Sequence, residues 1–226
     1  MDRHDFAYLR DSATLQFLDV SLPETVKLKV SQLLSQNVPM TVCRQEGLDA
    51  GQVKLAINCL VEGYKYRVAC WVAEYNIEQI TRPLSLRALL KADLQIFQRE
   101  ILSDFADKLE QRGCEVYVYG SYAYQALTRE AYVRPVSDLD VLFYPQHQND
   151  VPEILQLIQQ VQAQSSVHLD GEIKIHPDWH VSFNELITVF PAMKQQVIVK
   201  GIQRVDMLRL EQLFEGNLEY AHASIR

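Results

Sequence analysis

Residues 137–143 read Ser-Asp-Leu-Asp-Val-Leu-Phe, and few folds accommodate that pattern. Side chains two apart on a strand share a face, so Asp138 and Asp140 project together, about 6–7 Å apart along the chain. Leu139, Val141 and Phe143 point the other way, into a core. The pattern predicts a strand over Asp138–Tyr144 with one packed face and one acidic face. Two carboxylates on one face repel each other unless something cationic lies between them. Magnesium suits that place, because a hard cation takes carboxylate and phosphate oxygens together.

Upstream, Val116–Tyr119 reads as a short strand that runs into Gly120-Ser121, and a helical segment follows at Tyr122–Leu127. Backbone N–H groups at such a helix start suit a phosphate, and glycine permits close approach. The Ser121 hydroxyl adds a donor. A phosphate cradle beside a two-carboxylate metal site, with room for two ions, is equipment for phosphoryl or nucleotidyl transfer. A third carboxylate is sought in His168-Leu169-Asp170-Gly171-Glu172. Asp170 and Glu172 share a face by the same period of two, and either serves as metal ligand or base. Lys200, at the end of the apolar strand Val197–Val199, is the leading phosphate-binding cation. Arg134 is a further donor contact, and Arg129, Arg134 and Lys194 are expected to form a local basic patch near the aspartates.

The surrounding chain sets the fold class. Ser21-Leu22-Pro23-Glu24 reads as a capping box before a helix. Strands at Met40–Arg44, Val53–Leu60 and Tyr64–Val72 follow, with Gly47, Gly51 and Gly63 in the loops. Residues 85–112 carry helical spacing, capped by Ser85 and stopped by Gly113. A helix over 152–163 and a hairpin turning at Pro177-Asp178 complete the second part. This organisation predicts an α+β protein, with a small domain over 1–84 and a catalytic domain over 85–226. Of the 226 residues 48% are hydrophobic, enough for a sizeable core. The net charge of −7 argues against a broad nucleic-acid surface. No apolar run reaches the roughly 18 residues of a membrane helix, and the N-terminus lacks a signal-peptide pattern. A cytoplasmic protein is expected. The four cysteines lack a CxxC pair and are expected as reduced thiols.

These pieces resemble the nucleotidyltransferase superfamily of the polymerase-beta type. They are more similar still to the phosphoribosyl-dephospho-CoA transferases of malonate decarboxylase, also called holo-acyl-carrier-protein synthases. The likeness rests on Arg3-His4-Asp5, on Tyr119–Thr128 with its Gln-Ala-Leu-Thr, and on Arg134–Asp140. Leu169-Asp170-Gly171-Glu172 and Val197-Ile198-Val199-Lys200 complete it. The chain departs from the family at Tyr124, where Trp is frequent, at Arg129-Glu130 and at Trp179.

The resemblance implies a polymerase-beta-type domain with a mixed sheet. It implies transfer from triphosphoribosyl-dephospho-CoA to a serine of the malonate decarboxylase acyl carrier protein, with pyrophosphate released. The family's aspartate pair falls on Asp138 and Asp140, and its triphosphate contact on Gly120 and Ser121. The alternatives are a nucleotidyltransferase with another acceptor and a non-catalytic binding module on the same fold.

Overall fold

The computed structural model describes residues 1–47, 51–92, 94, 96 and 98–214. They fall into two compact units, and the chain passes between them more than once. The first unit takes Met1–Pro83, Ala123–Arg134 and Ile202–Arg204. The second takes Leu84–Tyr122, Pro135–Gly201 and the described chain from Val205.

The first unit contains β1 (Phe6–Leu9), β2 (Gln16–Phe17), α1 (Glu24–Ser35), β3 (Met40–Val42), β4 (Gln52–Val61), β5 (Tyr64–Ala73) and β6 (Ile77–Thr81). Its antiparallel sheet has the order β2-β5-β4-β3-β1-β6. Alternation places Val53, Leu55, Ile57 and Cys59 of β4 on one buried face, opposite Val72, Cys70 and Val68 of β5. Glu62 and Gly63 join these strands, both at positive φ, as the tightest hairpin turns require. Val26, Val30 and Leu33 of α1 recur at helical spacing and join the same core. Tyr124 and Tyr132 belong to it too, with ring centroids 5.7 Å apart. The expected capping box does not form at α1. Pro23 sits at the N-cap, and Ser21 instead donates through its backbone N–H and its hydroxyl to the Asp19 carboxylate.

The second unit contains β7 (Leu84–Ser85), α2 (Leu86–Lys91), α3 (Arg99–Gln111), β8 (Cys114–Val118) and the start of α4 (Gly120–Thr128). Next come β9 (Leu139–Pro145), α5 (Val151–Gln164), β10 (Leu169–His176), β11 (Trp179–Ser182) and α6 (Phe183–Val189). It closes with β12 (Gln196–Lys200), β13 (Val205–Arg209) and α7 (Leu210–Leu213). The seven strands run β13-β12-β11-β10-β9-β8-β7. β9 and β10 are parallel and joined through α5, whereas the other pairs are antiparallel. The protein is therefore α+β with a mixed sheet.

Helices cover one face of this sheet. Phe143 meets Phe105 of α3 edge-on at 6.1 Å and Phe183 of α6 at 5.5 Å. Val116, Val118, Val141, Ile173 and Val181 share that buried face. The long helical pattern of 85–112 is divided between α2 and α3. Ser85 Oγ accepts from the Ala88 N–H at 3.1 Å, and Gly113 ends α3 at φ 61°.

Candidate active site

The opposite face of the second sheet carries the polar residues. Asp140 lies on it by strand alternation, and Asp138 immediately precedes the strand. Asp140 and Asp170 are direct register partners on parallel β9 and β10, so their side chains stand next to each other. Asp138 and Asp170 are exposed and Asp140 is half-buried. Asn184 Nδ2 donates to Asp170 Oδ1 at 3.5 Å. Tyr122 is buried close by. Burial, and then the negative charge of Asp138, push its phenol above the ordinary range.

Gly120 opens α4 at the same end of the sheet. The Tyr119 N–H donates to the Asp140 carbonyl at 3.1 Å, which holds the turn against β9. Gly120 has φ 66°, a conformation that disfavours other residues. A Cβ built there would overlap the Asp140 carboxylate. The glycine thus meets two demands, the sharp entry into the helix and space for the acid. Ser121, the second residue of α4, is partly exposed. Gly171 is similarly constrained between the two parallel strands. Its φ is 144°, and a Cβ would run into the Val141 carbonyl oxygen.

Glu172 stands two residues along β10 from Asp170 on the same face, but it is deeply buried. Its Oε1 accepts from Lys200 Nζ at 3.0 Å, and its Oε2 lies 3.9 Å from His180 Nδ1. Lys200 therefore engages a carboxylate of the protein itself. Arg134 falls in the first unit, is exposed and donates to the Gly63 carbonyl at 3.2 Å. Arg129 is also in the first unit, whereas Lys194 is exposed in the second.

Other motif residues turn out to be architectural. Asp5 is buried, accepts from Arg82 at 2.9 Å and accepts the Asp2 N–H at 2.7 Å, so Arg3-His4-Asp5 is part of an anchor for the first strand. The Tyr124 hydroxyl lies 3.3 Å from Thr41 Oγ1 inside the first core. Spacing did not reveal the partnership of Glu172, His180 and Lys200, because a whole strand separates Glu172 from Lys200. Nor did it reveal a row of rings on the same face. Tyr117 meets Tyr144 edge-on at 5.6 Å, and Lys174 Nζ lies 5.9 Å from the Tyr144 ring centre.

The family model of the phosphoribosyl-dephospho-CoA transferase MdcG C-terminal domain matches residues 85–211. The chain belongs to this family. A phosphoribosyl-dephospho-CoA transferase of Xanthomonas axonopodis pv. citri (strain 306) is 28% identical over 214 residues, spanning 94% of this chain and 96% of the relative. The corresponding proteins of Xanthomonas euvesicatoria pv. vesicatoria (strain 85-10) and Bradyrhizobium diazoefficiens are 27% and 26% identical. These span 94% and 95% of this chain, and 96% and 92% of the relatives. No solved structure matches the chain significantly. Membership of the phosphoribosyl-dephospho-CoA transferase family makes the protein a transferase enzyme.

The acids beside Gly120 pose a question of fit for a metal ion. Asp138 and Asp140 supply hard oxygen ligands at an exposed edge. Among the described residues no three His, Cys, Asp or Glu side chains are gathered as a metal site. A pair of carboxylates would fit magnesium, which is commonly held by one or two carboxylates together with substrate phosphates and water. Among the described residues no helix is long and apolar enough to cross a membrane.

Proposed function

We propose that this transferase moves the phosphoribosyl-dephospho-CoA group from triphosphoribosyl-dephospho-CoA to a serine of the malonate decarboxylase acyl carrier protein, in the cytoplasm. The carrying observation is the side-by-side placement of Asp140 and Asp170 at the N-terminus of α4, where Gly120 leaves space for the acid. Gly120 and Ser121 would offer N–H groups to an anion, since a helix start favours negative charge. Asp138 and Asp140 would hold magnesium, a two-ion site included, and its charge would offset that of the triphosphate and the leaving group.

In the proposed step the acceptor serine oxygen attacks the α-phosphorus. A new phosphoester bond forms, and the bond from that phosphorus to the bridging oxygen of pyrophosphate breaks. Pyrophosphate leaves with the electron pair. The serine proton passes to Asp170, which is exposed beside Asp140 and suited to act as base.

The test is the intact mass of apo carrier protein incubated with the enzyme, magnesium and the triphosphate donor. A gain of one phosphoribosyl-dephospho-CoA unit is expected, and none with Asp138→Asn. Pyrophosphate release with other acceptors but no gain on this carrier would refute the acceptor. Silence of the wild-type enzyme in both assays would refute the transfer.

A further inference from the structure

Glu172, His180 and Lys200 form a cluster that the metal site does not use. The Glu172 side chain is only 4% exposed and that of His180 only 1%, whereas that of Lys200 is 32% exposed. The cluster is therefore sealed at the carboxylate and partly open along the lysine side chain. Lys200 lies on β12, with β11 between it and Glu172, and His180 is its direct register partner. The lysine reaches across a whole strand to make the 3.0 Å contact.

A buried carboxylate is retained only with a cation or several donors around it. Glu172 has that cation, so service as a metal ligand would mean surrendering it. Lys200 bears on a different need. An ammonium has three N–H groups, and the Glu172 contact uses one. Glu172 stands two residues along the strand from Asp170, about 6–7 Å by strand rise. The Lys200 ammonium is thereby held beside Glu172, on the face that carries Asp170 and Asp140.

We infer that Glu172 is a positioning residue that aims Lys200 at the pyrophosphate end of a bound triphosphate, and is not a metal ligand. The inference rests on the transferase reading above. Glu172 sets the direction of a long, flexible cation, and Lys200 supplies the charge that the departing pyrophosphate meets.

The test uses inorganic triphosphate with magnesium as the probe, read by calorimetry, and Mn2+ binding read by paramagnetic resonance. Loss of one charge-assisted contact predicts about 10-fold weaker triphosphate binding for Lys200→Met. Glu172→Gln is expected to weaken it about 5-fold, by letting the ammonium wander. The double variant is expected to bind no more weakly than Lys200→Met alone, because the two act as a unit. Glu172→Asp and Lys200→Arg should each restore part of the affinity, which a mere strand staple would not explain. Mn2+ binding should be unchanged in Glu172→Gln and lost in Asp140→Asn.

Three results overturn the inference. One is loss of Mn2+ affinity in Glu172→Gln. Another is multiplication of the two single effects in the double variant. The third is wild-type triphosphate binding by Lys200→Met despite a lowered melting temperature. Should Glu172→Gln not fold, Glu172→Asp and Lys200→Met carry the comparison. Both readouts precede turnover, so a failed transfer assay beside intact triphosphate binding would refute the acceptor and leave the Glu172 assignment standing.

Discussion

Replacing Gly120 with alanine isolates the contact between the helix start and the acid. Two effects add. The backbone at φ 66° is left-handed, which costs about 1–2 kcal/mol for a residue with a Cβ. The new methyl group would also overlap the Asp140 carboxylate, which must swing aside. A displacement of about 1 Å at a reacting centre lowers a rate by about 100-fold. Gly113 supplies the control. It has φ 61°, almost the same backbone, but a Cβ there meets the far end of the flexible Gln146 side chain. Gly113→Ala should therefore lose the same stability and keep its activity. Urea unfolding gives the first quantity, and Mn2+ affinity with the carrier-protein mass assay gives the second. If Gly120→Ala transferred at a third of the wild-type rate or better, the steric reasoning would fail. Equal loss of activity in Gly113→Ala would refute it as well.

Two further outcomes are expected. Asp5→Asn removes the buried charge that Arg82 meets at 2.9 Å. Because the Arg82 side chain is 38% exposed, the loss should be about 1–3 kcal/mol. Urea denaturation measures it, and a change below about 0.5 kcal/mol, the range of an ordinary surface substitution, would show that the anchor is idle. Burial pushes the thiols of Cys70 and Cys114 to about 12 and that of Cys59 to about 11, from an ordinary value of 9.0. The folded state keeps these protons after the unfolded chain has lost them. Their contribution is complete below pH 9 and falls as pH rises toward 11–12. Thermal melting at pH 7 to 10.5 should show a decline, and a rising melting temperature over that window would contradict it.

The sequence was most informative where one period ran unbroken. Alternation in Asp138–Tyr144 anticipates β9, its packed face and its acidic face. Helical spacing finds α1, α3 and α5 for the same reason, since each buries one stripe. Short edge strands were illegible. β2 and β7 have two residues each, too few for any period to show. The pairing of Glu172 with Lys200 was hidden because it depends on strand order, with β11 inserted between the partners. The Asp170-Gly171-Glu172 motif announced two acids on one face. Only burial separates the exposed Asp170 from the sealed Glu172. Arg3-His4-Asp5 likewise acquired a physical role only through Arg82, at the end of the first unit's first segment.

The first unit is assembled from pieces that leave the ribosome at very different times. Its sheet strands lie within the first 83 residues, yet Tyr124 and Tyr132 fill its core and the Ile202 carbonyl accepts the Gln45 N–H at 2.7 Å. At elongation rates of about 5–20 residues per second the chain between Pro83 and Arg204 takes about 6–24 s to synthesise. For the first about 2–10 s of it, until Tyr132 has been made, the nascent sheet waits with two aromatic places unfilled. Slower translation between Pro83 and Ala123 would lengthen its exposure. A gene cut at residue 84 would make the wait permanent.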